Sequence, residues 1–349
     1  MTSTTQRGSW LTGKRWWLLP TLLCVVLLGA ALVFCLAPRP RRAHANGQSM
    51  EPRASVADYS WSDLATLASE LSSCTSRDEA VRLAACYGLC GEDGTFDASA
   101  TKDVTLTDYT VARAVLADVW HDDRTDGGKA GLTFVLADAV GPHAMNHDFE
   151  QREGDDADSR GGWAASDMRA WLNGDLAGML PADLRAAIVS VQKHTANYVE
   201  GTDEQDEPGH LSGAPADWAS ETSDRLWLLS VSELCGTVPA SDNTGIDQSM
   251  ASTYASEGAQ YRLFAECNAK AFEKNDALVR SNSGGSNGCT WWLRSKTLEF
   301  DEGFWLVGTD GCPLNGYGED ARVVEDPEYA PDELWGPDHA RGVVFDFCL

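Results

Sequence analysis

The sequence predicts an α+β protein that is preceded by one membrane-spanning segment. Strand and helix candidates alternate irregularly along the chain and no strand-helix unit repeats, which argues against a doubly wound parallel sheet. Some stretches carry apolar residues at helical spacing, and several short apolar runs have the length of strands and are bounded by turn residues. We therefore expect a mixed or antiparallel sheet with two packed helices, preceded by a transmembrane helix and a short helical hairpin.

The N-terminal region predicts where the protein is located. Residues 16–37 are uncharged, and a bilayer core is spanned by about 20 apolar residues. Basic residues flank this run on both sides, so the positive-inside rule gives no orientation. A short basic segment, residues 1–15, before a large acidic body favours a signal-anchor with a cytoplasmic N-terminus and an extracellular C-terminal body. We expect a single-pass protein of the cell membrane, held in the membrane by residues 16–37.

A cleaved signal peptide is the alternative to an anchor. Ala43-His44-Ala45 has the small-x-small form of a cleavage site. The apolar run is long for a signal peptide, however, and the basic stretch Pro38–Arg42 lies where a short uncharged segment is expected. The anchor is therefore favoured.

Charge divides the chain into a basic start and a strongly acidic body. Residues 1–53 hold 7 of the 27 Lys and Arg and 1 of the 53 Asp and Glu, which leaves 20 basic and 52 acidic residues, a formal charge of −32, for the remainder. A nucleic-acid partner requires clustered Lys and Arg against the phosphates, and no basic stripe follows Arg53. We therefore expect no nucleic-acid partner and an acidity that serves mainly solubility.

A linker, residues 38–57, leads into a predicted helical hairpin, residues 58–100. The apolar face of its first helix consists of Leu64, Leu67, Ala68 and Leu71. The second helix is expected to begin at Ser76, because Ser76-Arg-Asp-Glu79 is a capping-box pattern. The hairpin is expected either to pack on the main domain or to space it from the membrane.

The exported α+β domain is predicted over residues 101–349. Ser166 is placed to cap a helix over Asp167–Leu176, and Pro181 opens a second helix whose inward face extends to Val191. Four apolar runs outside these helices are predicted strands: Thr133–Val140, Arg225–Ser230, Phe304–Val307 and Val343–Leu349.

Eight of the ten cysteines lie in the body. In an exported protein, an even number of cysteines predicts disulfides. Buried free thiols and a metal site are the alternatives, although the sequence contains no CxxC pair. The pairing cannot be read from spacing alone.

A turn rich in oxygen ligands, Trp120–Gly128, is the best candidate for a metal site. Hard cations prefer several carboxylate and carbonyl oxygens, which glycine-bearing turns deliver. The default interpretation is a solvated turn without a cofactor, and a bound calcium ion is the alternative. The candidate ligands are His121, Asp122, Asp123 and Asp126.

The most distinctive stretch is Cys289-Thr290-Trp291-Trp292-Leu293-Arg294-Ser295. Because side chains alternate between the faces of a strand, we expect one tryptophan in the core and the other at a surface or groove. Arg294 either holds a ligand carboxylate or forms an internal ion pair with Asp167 or Glu233. The candidate ligand-binding residues are Trp291, Trp292, Arg294, Trp171 and Glu233.

Evidence for catalysis in the sequence is weak. Glu233 and Asp224 flank a predicted strand and could act as an acid-base pair if both faced one cleft, but a surface or structural use is the simpler interpretation. The sequence has no HExxH and no phosphate-binding P-loop. No catalytic residue is assigned, and the chain is expected not to be an enzyme.

Several blocks, taken in order, resemble a family of bacterial exported domains known only as a domain of unknown function. The resemblance extends from about Thr101 to the C-terminus. The chain departs from the family where Val344-Phe345 stands in place of Arg-Pro, so no role is transferred from that arginine. The blocks are Gly131-Leu-Thr-Phe134, Gly162-Trp-x-x-Ser166-x-x-Arg169-x-Trp171-Leu172-Asn173, Asp224-x-x-Trp-Leu-Leu-Ser230-x-x-Glu233, Trp291-Trp-Leu-Arg-Ser295 and Gly342-Val-x-x-x-Phe347-x-Leu349.

The order of elements is also similar to the C-type-lectin-like fold that formylglycine-generating enzymes share. This resemblance implies a fold and carries no function by itself.

The expected function is that of a membrane-anchored extracellular binding module at the bacterial cell surface. It would recognise a glycan, a peptide or an envelope protein through an aromatic-rich surface. The alternatives are a structural or accessory envelope protein without a small ligand, and an exported enzyme with an unrecognised site.

Overall fold

The computed structural model describes residues 50–146, 161–197, 219–298, 303–315 and 340–349. Pro52–Leu349 forms one compact unit, and the preceding unit, Met1–Glu51, lies almost entirely outside the described residues. The predicted cytoplasmic segment 1–15 and membrane segment 16–37 therefore fall outside these ranges. Within them, no helix has the length and the apolar character needed to cross a bilayer.

The helices of the described residues are short. A π-helical turn, Leu172–Leu176, directly follows the helix Asp167–Trp171, and 3-10 turns lie at Val56–Asp58 and Asp276–Leu278. In chain order the α-helices are α1 (Trp61–Ser72), α2 (Arg77–Cys86), α3 (Gly162–Ala165), α4 (Asp167–Trp171), α5 (Ala177–Met179), α6 (Ala182–Ala187), α7 (Val231–Cys235), α8 (Gln248–Ala255) and α9 (Arg262–Glu266).

The strands are likewise short, apart from the second. In chain order they are β1 (Thr101–Thr105), β2 (Val111–Val119), β3 (Leu132–Leu136), β4 (Pro142–His143), β5 (Val191–Ala196), β6 (Ala219–Asp224), β7 (Trp227–Leu228), β8 (Arg280–Ser281), β9 (Gly288–Cys289), β10 (Trp291–Lys296), β11 (Phe304–Val307), β12 (Pro313–Leu314), β13 (Arg341–Gly342) and β14 (Phe345–Cys348).

Most of these strands form two five-stranded sheets. The first has the order β1-β2-β3-β14-β7 and is antiparallel throughout. The second has the order β12-β11-β10-β13-β4 and is antiparallel apart from the β10–β13 pair. Two further antiparallel pairs are formed by β5 with β6 and by β8 with β9. The α+β class with antiparallel sheets and a few helices is thus confirmed.

The two sheets are joined where the chain passes from one to the other. The amide of Arg294 in β10 donates to the carbonyl of Leu229, just after β7, at 2.9 Å. Near the C-terminus, only Val343 and Val344 separate β13 in the second sheet from β14 in the first. The closing segment therefore contributes a strand to each sheet.

The N-terminal hairpin belongs to the core. The ring of Trp61 packs edge-on against Phe134 of β3 and Phe347 of β14, with centroids 5.6 and 5.7 Å away. Burial of aromatic surface of this size stabilises a fold strongly. The hairpin therefore packs on the main domain, which was one of its two predicted roles. The apolar face predicted for α1 is buried and consists of Leu64, Leu67, Ala68 and Leu71.

The predicted helix starts agree with the structure, and one predicted helix end does not. Ser76 caps α2 by accepting from the amide of Glu79 at 3.3 Å, and Ser166 caps α4 by accepting from Arg169 at 3.1 Å. The helix after Pro181 ends at Ala187, so Val191 lies in β5 and not on its inward face. Several β-branched residues follow Ala187 and favour the strand.

Both tryptophans of β10 are buried, which corrects the expectation that one of them reaches a surface. Every residue of β10 is buried, because this central strand is covered on both faces. Trp291 Nε1 donates to the carbonyl of Leu278 at 3.2 Å, and Trp292 Nε1 donates to that of His143 at 3.1 Å. Since neither ring has any exposed surface, the pair cannot form the predicted aromatic-rich binding surface.

Five of the body cysteines, Cys90, Cys235, Cys267, Cys289 and Cys348, are free thiols. The predicted disulfides are therefore not formed by these residues. Burial raises the thiol pKa of all five, which keeps them protonated and poorly nucleophilic.

Candidate functional site

A buried charged cluster connects the strands of both sheets with the helices around them. It consists of Asp122, Lys193, Glu233, Tyr261 and Arg294, none of which exposes more than 6% of its surface. The five residues come from the turn after β2, from β5, from the first turn of α7, from the residue before α9 and from the middle of β10. Buried charges are tolerated when they are paired and hydrogen-bonded, and each charge in the cluster has a partner of opposite sign.

Lys193 is the hub of the buried charged cluster. Its Nζ donates to Asp122 Oδ1 at 2.5 Å, to Glu233 Oε1 at 2.9 Å and to Tyr261 Oη at 2.9 Å. An ammonium group has three protons to donate, so these contacts use all of them. The nitrogen also lies 4.2 Å from the ring centroid of Trp227. Burial lowers the pKa of Lys193, but the carboxylates of Asp122 and Glu233 outweigh burial and raise it above its usual range.

Asp122 receives hydrogen bonds on both carboxylate oxygens. Oδ1 accepts from Tyr261 Oη at 2.9 Å as well as from Lys193. Oδ2 accepts from Thr133 Oγ1 at 2.6 Å and contacts Cys348 Sγ at 3.4 Å. Burial raises the pKa of Asp122, but Lys193 and these hydrogen bonds outweigh it and hold that pKa below its usual range. The carboxyl group is thus fixed in one orientation with the lysine on one side.

Glu233 and Arg294 form a bidentate ion pair in which one N–H···O contact measures 3.1 Å and the other is short. The remaining guanidinium donors bond to Thr195 Oγ1 at 3.0 Å and to the carbonyl of Leu228 at 2.9 Å, among others. Glu233 also completes a capping box with Ser230 at the start of α7. Burial raises the pKa of Glu233, but Arg294 and Lys193 overcome that effect and lower it, so Glu233 stays ionised.

Glu257 lies beside this ion pair as a second kind of acid. Its Oε1 accepts from the amide of Ala196 at 2.8 Å, and its Oε2 accepts from Ser295 Oγ at 2.5 Å. Burial raises the pKa of Glu257 to about 7, in spite of the opposing influence of Arg294. This carboxyl group therefore changes its protonation near neutral pH.

Asp346 of β14 is buried without a hydrogen-bond partner for either carboxylate oxygen among the described residues. It stands opposite Trp227 in the register of β14 and β7. Burial, reinforced by the negative charge of Glu233, raises the pKa of Asp346 well above its usual range. Asp346 is therefore a neutral acid that borders the buried charged cluster.

The predicted metal ligands do not converge on one point. His121 Nδ1 pairs with Asp118 at 2.9 Å, Asp123 with Lys129 at 2.8 Å, and Asp126 with Arg124 at 2.5 Å, whereas Asp122 belongs to the buried charged cluster. Across the described parts of the chain, no group of three or more His, Cys, Asp or Glu side chains is arranged to hold a metal ion. The structure thus does not bring the four candidates together as a calcium site.

The predicted acid-base pair is also separated. Asp224 accepts from Trp163 Nε1 at 3.0 Å, from Arg169 Nε at 2.6 Å and from Thr222 Oγ1 at 2.6 Å. These partners hold α3, α4 and β6 together, while Glu233 faces Lys193 and Arg294. Each carboxylate therefore supports a different part of the packing.

Among the predicted ligand-binding residues, Trp171 is partly exposed. Its ring stacks on that of His143 of β4, with centroids 4.1 Å apart and planes inclined by 21°. His143 Nδ1 donates to the carbonyl of Ala144 at 2.6 Å. Arg341, also partly exposed, is the register partner of His143 across β13 and β4. Aromatic and basic side chains thus share one edge of the second sheet.

The sequence analysis missed Lys193 and Tyr261 as members of the buried charged cluster. One signal for Lys193 was available. Val191, Lys193 and Thr195 are every second residue of β5, and such residues lie on the same face of a strand, here the inward one. Another signal was the Ser230-x-x-Glu233 spacing, a capping-box pattern that starts a helix after Ser230 and places Glu233 in its first turn. The prediction that Arg294 pairs internally with Glu233 is confirmed.

The sequence of the chain matches the model of a protein family over residues 130–320, and that family is a domain of unknown function, DUF6273. The chain belongs to this family. The predicted resemblance to a domain-of-unknown-function family is thereby confirmed. The matched range of DUF6273 includes Lys193, Glu233, Tyr261 and Arg294, so four of the five cluster residues belong to it. No curated protein and no solved structure shows significant similarity to the chain.

Proposed function

We propose that this DUF6273 protein is a membrane-anchored, extracellular binding module that recognises a glycan. The uncharged segment 16–37 in front of an acidic body supports the anchor and the exported location. A peptide or an envelope protein is the other ligand class that an aromatic surface of this kind fits.

The observation that carries the proposal is the partly exposed stack of Trp171 on His143. An indole ring held flat at a surface offers an apolar face to the C–H side of a sugar ring, and neighbouring polar groups bind its hydroxyls. Stacking on His143 fixes the orientation of the indole before a ligand arrives, which lowers the entropic cost of binding. Arg341 on the adjacent strand is the register partner of His143.

The C-type-lectin-like fold is part of the same proposal. It is supported by the interior position of the C-terminal strand β14, between β3 and β7 in the first sheet. Helices that pack beside two largely antiparallel sheets are consistent with it.

A structural or accessory envelope role is the second candidate. It is favoured by the placement of the distinctive motif residues, since Trp291, Trp292, Arg294 and Glu233 are all buried and bonded within the protein. Buried motifs of this kind stabilise a fold, whereas ligand binding depends on surface residues.

The test is a binding screen of the detergent-solubilised protein on a glycan array and on cell-envelope fractions, with calcium and with a chelator. Trp171→Ala should abolish binding, whereas Trp171→Phe should retain part of it. Tyr109→Ala serves as the matched control, because Tyr109 is 87% exposed at the turn between β1 and β2. Failure to bind any glycan or envelope fraction would reject the binding module and leave the structural role.

A further inference from the structure

The buried charged cluster places an amine, a carboxyl group and a second carboxylate in one site. We propose that Lys193 and Asp122 condense into an intramolecular amide bond, with Glu233 as the group that moves the proton. This inference goes beyond the proposed binding function and does not depend on it. Four features of the site support it: proximity, buried surroundings, proton transfer and stabilisation of the reacting carboxyl oxygens.

Proximity comes first, because Lys193 Nζ lies 2.5 Å from Asp122 Oδ1. The carboxyl carbon is one bond beyond that oxygen, so the two reacting groups are already in contact, and groups held in this way react at high effective molarity. Both partners come from regular, buried surroundings, the start of the turn after β2 and the middle of β5. Their mutual position is therefore fixed by the fold and not by a flexible loop.

The surroundings favour the uncharged product. In water, an ammonium and a carboxylate are each stabilised by solvation, and amide formation is unfavourable. In the core, both ions have lost that solvation, and a neutral amide removes two buried charges at once. The ring of Trp227, 4.2 Å from Nζ, covers the amine on another side and contributes to the exclusion of water.

Glu233 supplies the proton transfer that the reaction requires. Its Oε1 lies 2.9 Å from Lys193 Nζ. The resting groups are ionised, so the reaction passes through a minor state in which Glu233 holds one of the ammonium protons and the neutral amine attacks the carboxyl carbon of Asp122. The bidentate contact with Arg294 orients the carboxylate towards the lysine. Glu233 then returns the proton to the departing oxygen, so it ends the reaction ionised, as it began.

Atoms and charges balance without any further reactant. The C–N bond forms between Asp122 Cγ and Lys193 Nζ, and the bond from Cγ to one carboxyl oxygen breaks. Of the three ammonium protons, one remains on the amide nitrogen and two leave with that oxygen as water. The positive and negative charges of the pair disappear together, and nothing is oxidised or reduced.

The other side of the carboxyl group is lined by donors for the charge that develops on oxygen. Thr133 Oγ1 donates to Asp122 Oδ2 at 2.6 Å, and Tyr261 Oη donates to Oδ1 at 2.9 Å. Oriented hydroxyl donors of this kind stabilise a tetrahedral intermediate. Oδ1, the oxygen next to Lys193 and Tyr261, is the one placed to leave as water.

The bond would join β5 to the turn after β2, two positions 71 residues apart. A covalent link across a segment of this length restricts the unfolded chain as a disulfide does. An exported protein in which five cysteines are free thiols would gain from such a link a stabilising bond that reductants do not break.

The test is mass spectrometry of the purified full-length protein, with circular dichroism to show that it is folded. After trypsin digestion, a peptide that spans residues 114–124 should be linked to the segment around Lys193 and should be lighter by one water than the sum of the two. A folded chain whose two peptides appear separately, even after long incubation at 37 °C, would overturn the proposal.

Two variants sharpen this result. Lys193→Arg keeps the charge without an attacking amine, so its peptides should remain unlinked. Asp122→Asn has nearly the same shape, and its condensation should release ammonia in place of water. A linked peptide that has lost water in Asp122→Asn would place the bond elsewhere and contradict the assignment, and Lys193→Arg chains that still yield the linked peptide would do the same.

Discussion

Arg294 and Glu233 form a bidentate ion pair that is fully enclosed by the protein, with the arginine in the central strand of the second sheet and the glutamate in the first turn of α7. Lys193 contacts the same glutamate from β5 at 2.9 Å. A single carboxylate thus holds three elements of secondary structure together. The distinctive Trp-Trp-Leu-Arg-Ser stretch is, in this arrangement, a feature of the protein interior.

Removal of one member of this pair should be strongly destabilising. Arg294→Met leaves Glu233 short of a buried partner, and loss of one partner of a buried ion pair costs about 3–5 kcal/mol. The free energy of unfolding, measured by urea titration, should fall by that amount. Lys270→Met is the control, because both members of the ion pair that Lys270 forms with Glu273 are exposed, and such a pair should contribute about 0–1 kcal/mol. Equal losses in the two variants would contradict the structural role of the cluster.

The two classes of tryptophan should differ in their contribution to stability. Trp292 is buried and donates to the carbonyl of His143, so Trp292→Ala should cost at least about 3–5 kcal/mol, as large-to-small changes in a core do. Trp171 is partly exposed, and Trp171→Ala should cost clearly less. Thermal unfolding of both variants measures the difference. A tolerated Trp292→Ala would mean that the pair of tryptophans is accessible after all.

The stability of the protein should fall as pH rises through neutrality, in part because of Glu257. Its folded-state pKa, about 7, lies above the ordinary value of 4.5. Its contribution is therefore complete below pH 4.5, where both states are protonated, and is lost as pH rises through about 7. Buried Asp346, whose pKa is also raised, acts in the same direction.

Glu257→Gln isolates this effect. Glutamine cannot ionise, so urea titrations at pH 5 and pH 8 should differ less for the variant than for the wild-type protein. Glu221→Gln, at an exposed position of β6, should leave the difference unchanged. A wild-type protein whose stability is the same at both pH values would contradict the raised pKa of Glu257.

Close packing of the hairpin on the sheet predicts that Gly131 tolerates no side chain. A Cβ at this position would lie 2.1 Å from the carbonyl oxygen of Ala68 in α1. Overpacking of this kind typically costs about 1–3 kcal/mol, and this clash is with backbone, so Gly131→Ala should lower the melting temperature markedly. Gly174→Ala is the matched control, since no atom lies within 4 Å of a Cβ at that position. Similar melting temperatures would show that the hairpin is loosely attached.

Local patterns predicted the elements of this fold better than their contacts. The apolar spacing of Leu64, Leu67 and Leu71, and the capping residue Ser76, determine short-range structure and were confirmed. The burial of both Trp291 and Trp292 could not be predicted in this way, because it depends on a covering layer over each face of β10. The π-helical turn after α4 could not be predicted either, because the apolar spacing used to find helices has the 3.6-residue period of an α-helix.

The candidate site was predictable in part. An internal partner for Arg294 was expected, and Glu233 is that partner. The convergence of Asp122 and Lys193, 71 residues apart, was not, because long-range pairing across two sheets leaves no trace in local spacing. The aspartate-rich turn instead suggested a cation site, although its carboxylates pair individually with Lys129, Arg124 and Lys193.

The central claim is that the buried charged cluster stabilises the fold, whereas the stacked pair of Trp171 and His143 contacts the proposed ligand. The most direct test measures unfolding free energy and ligand binding side by side for Arg294→Lys and Trp171→Ala. Arg294→Lys, which cannot form the bidentate pair, should lose stability and keep the affinity of the molecules that remain folded. Trp171→Ala should lose affinity and keep most of its stability. The reverse pattern, with weakened binding in a stable Arg294→Lys and full binding in Trp171→Ala, would contradict the claim.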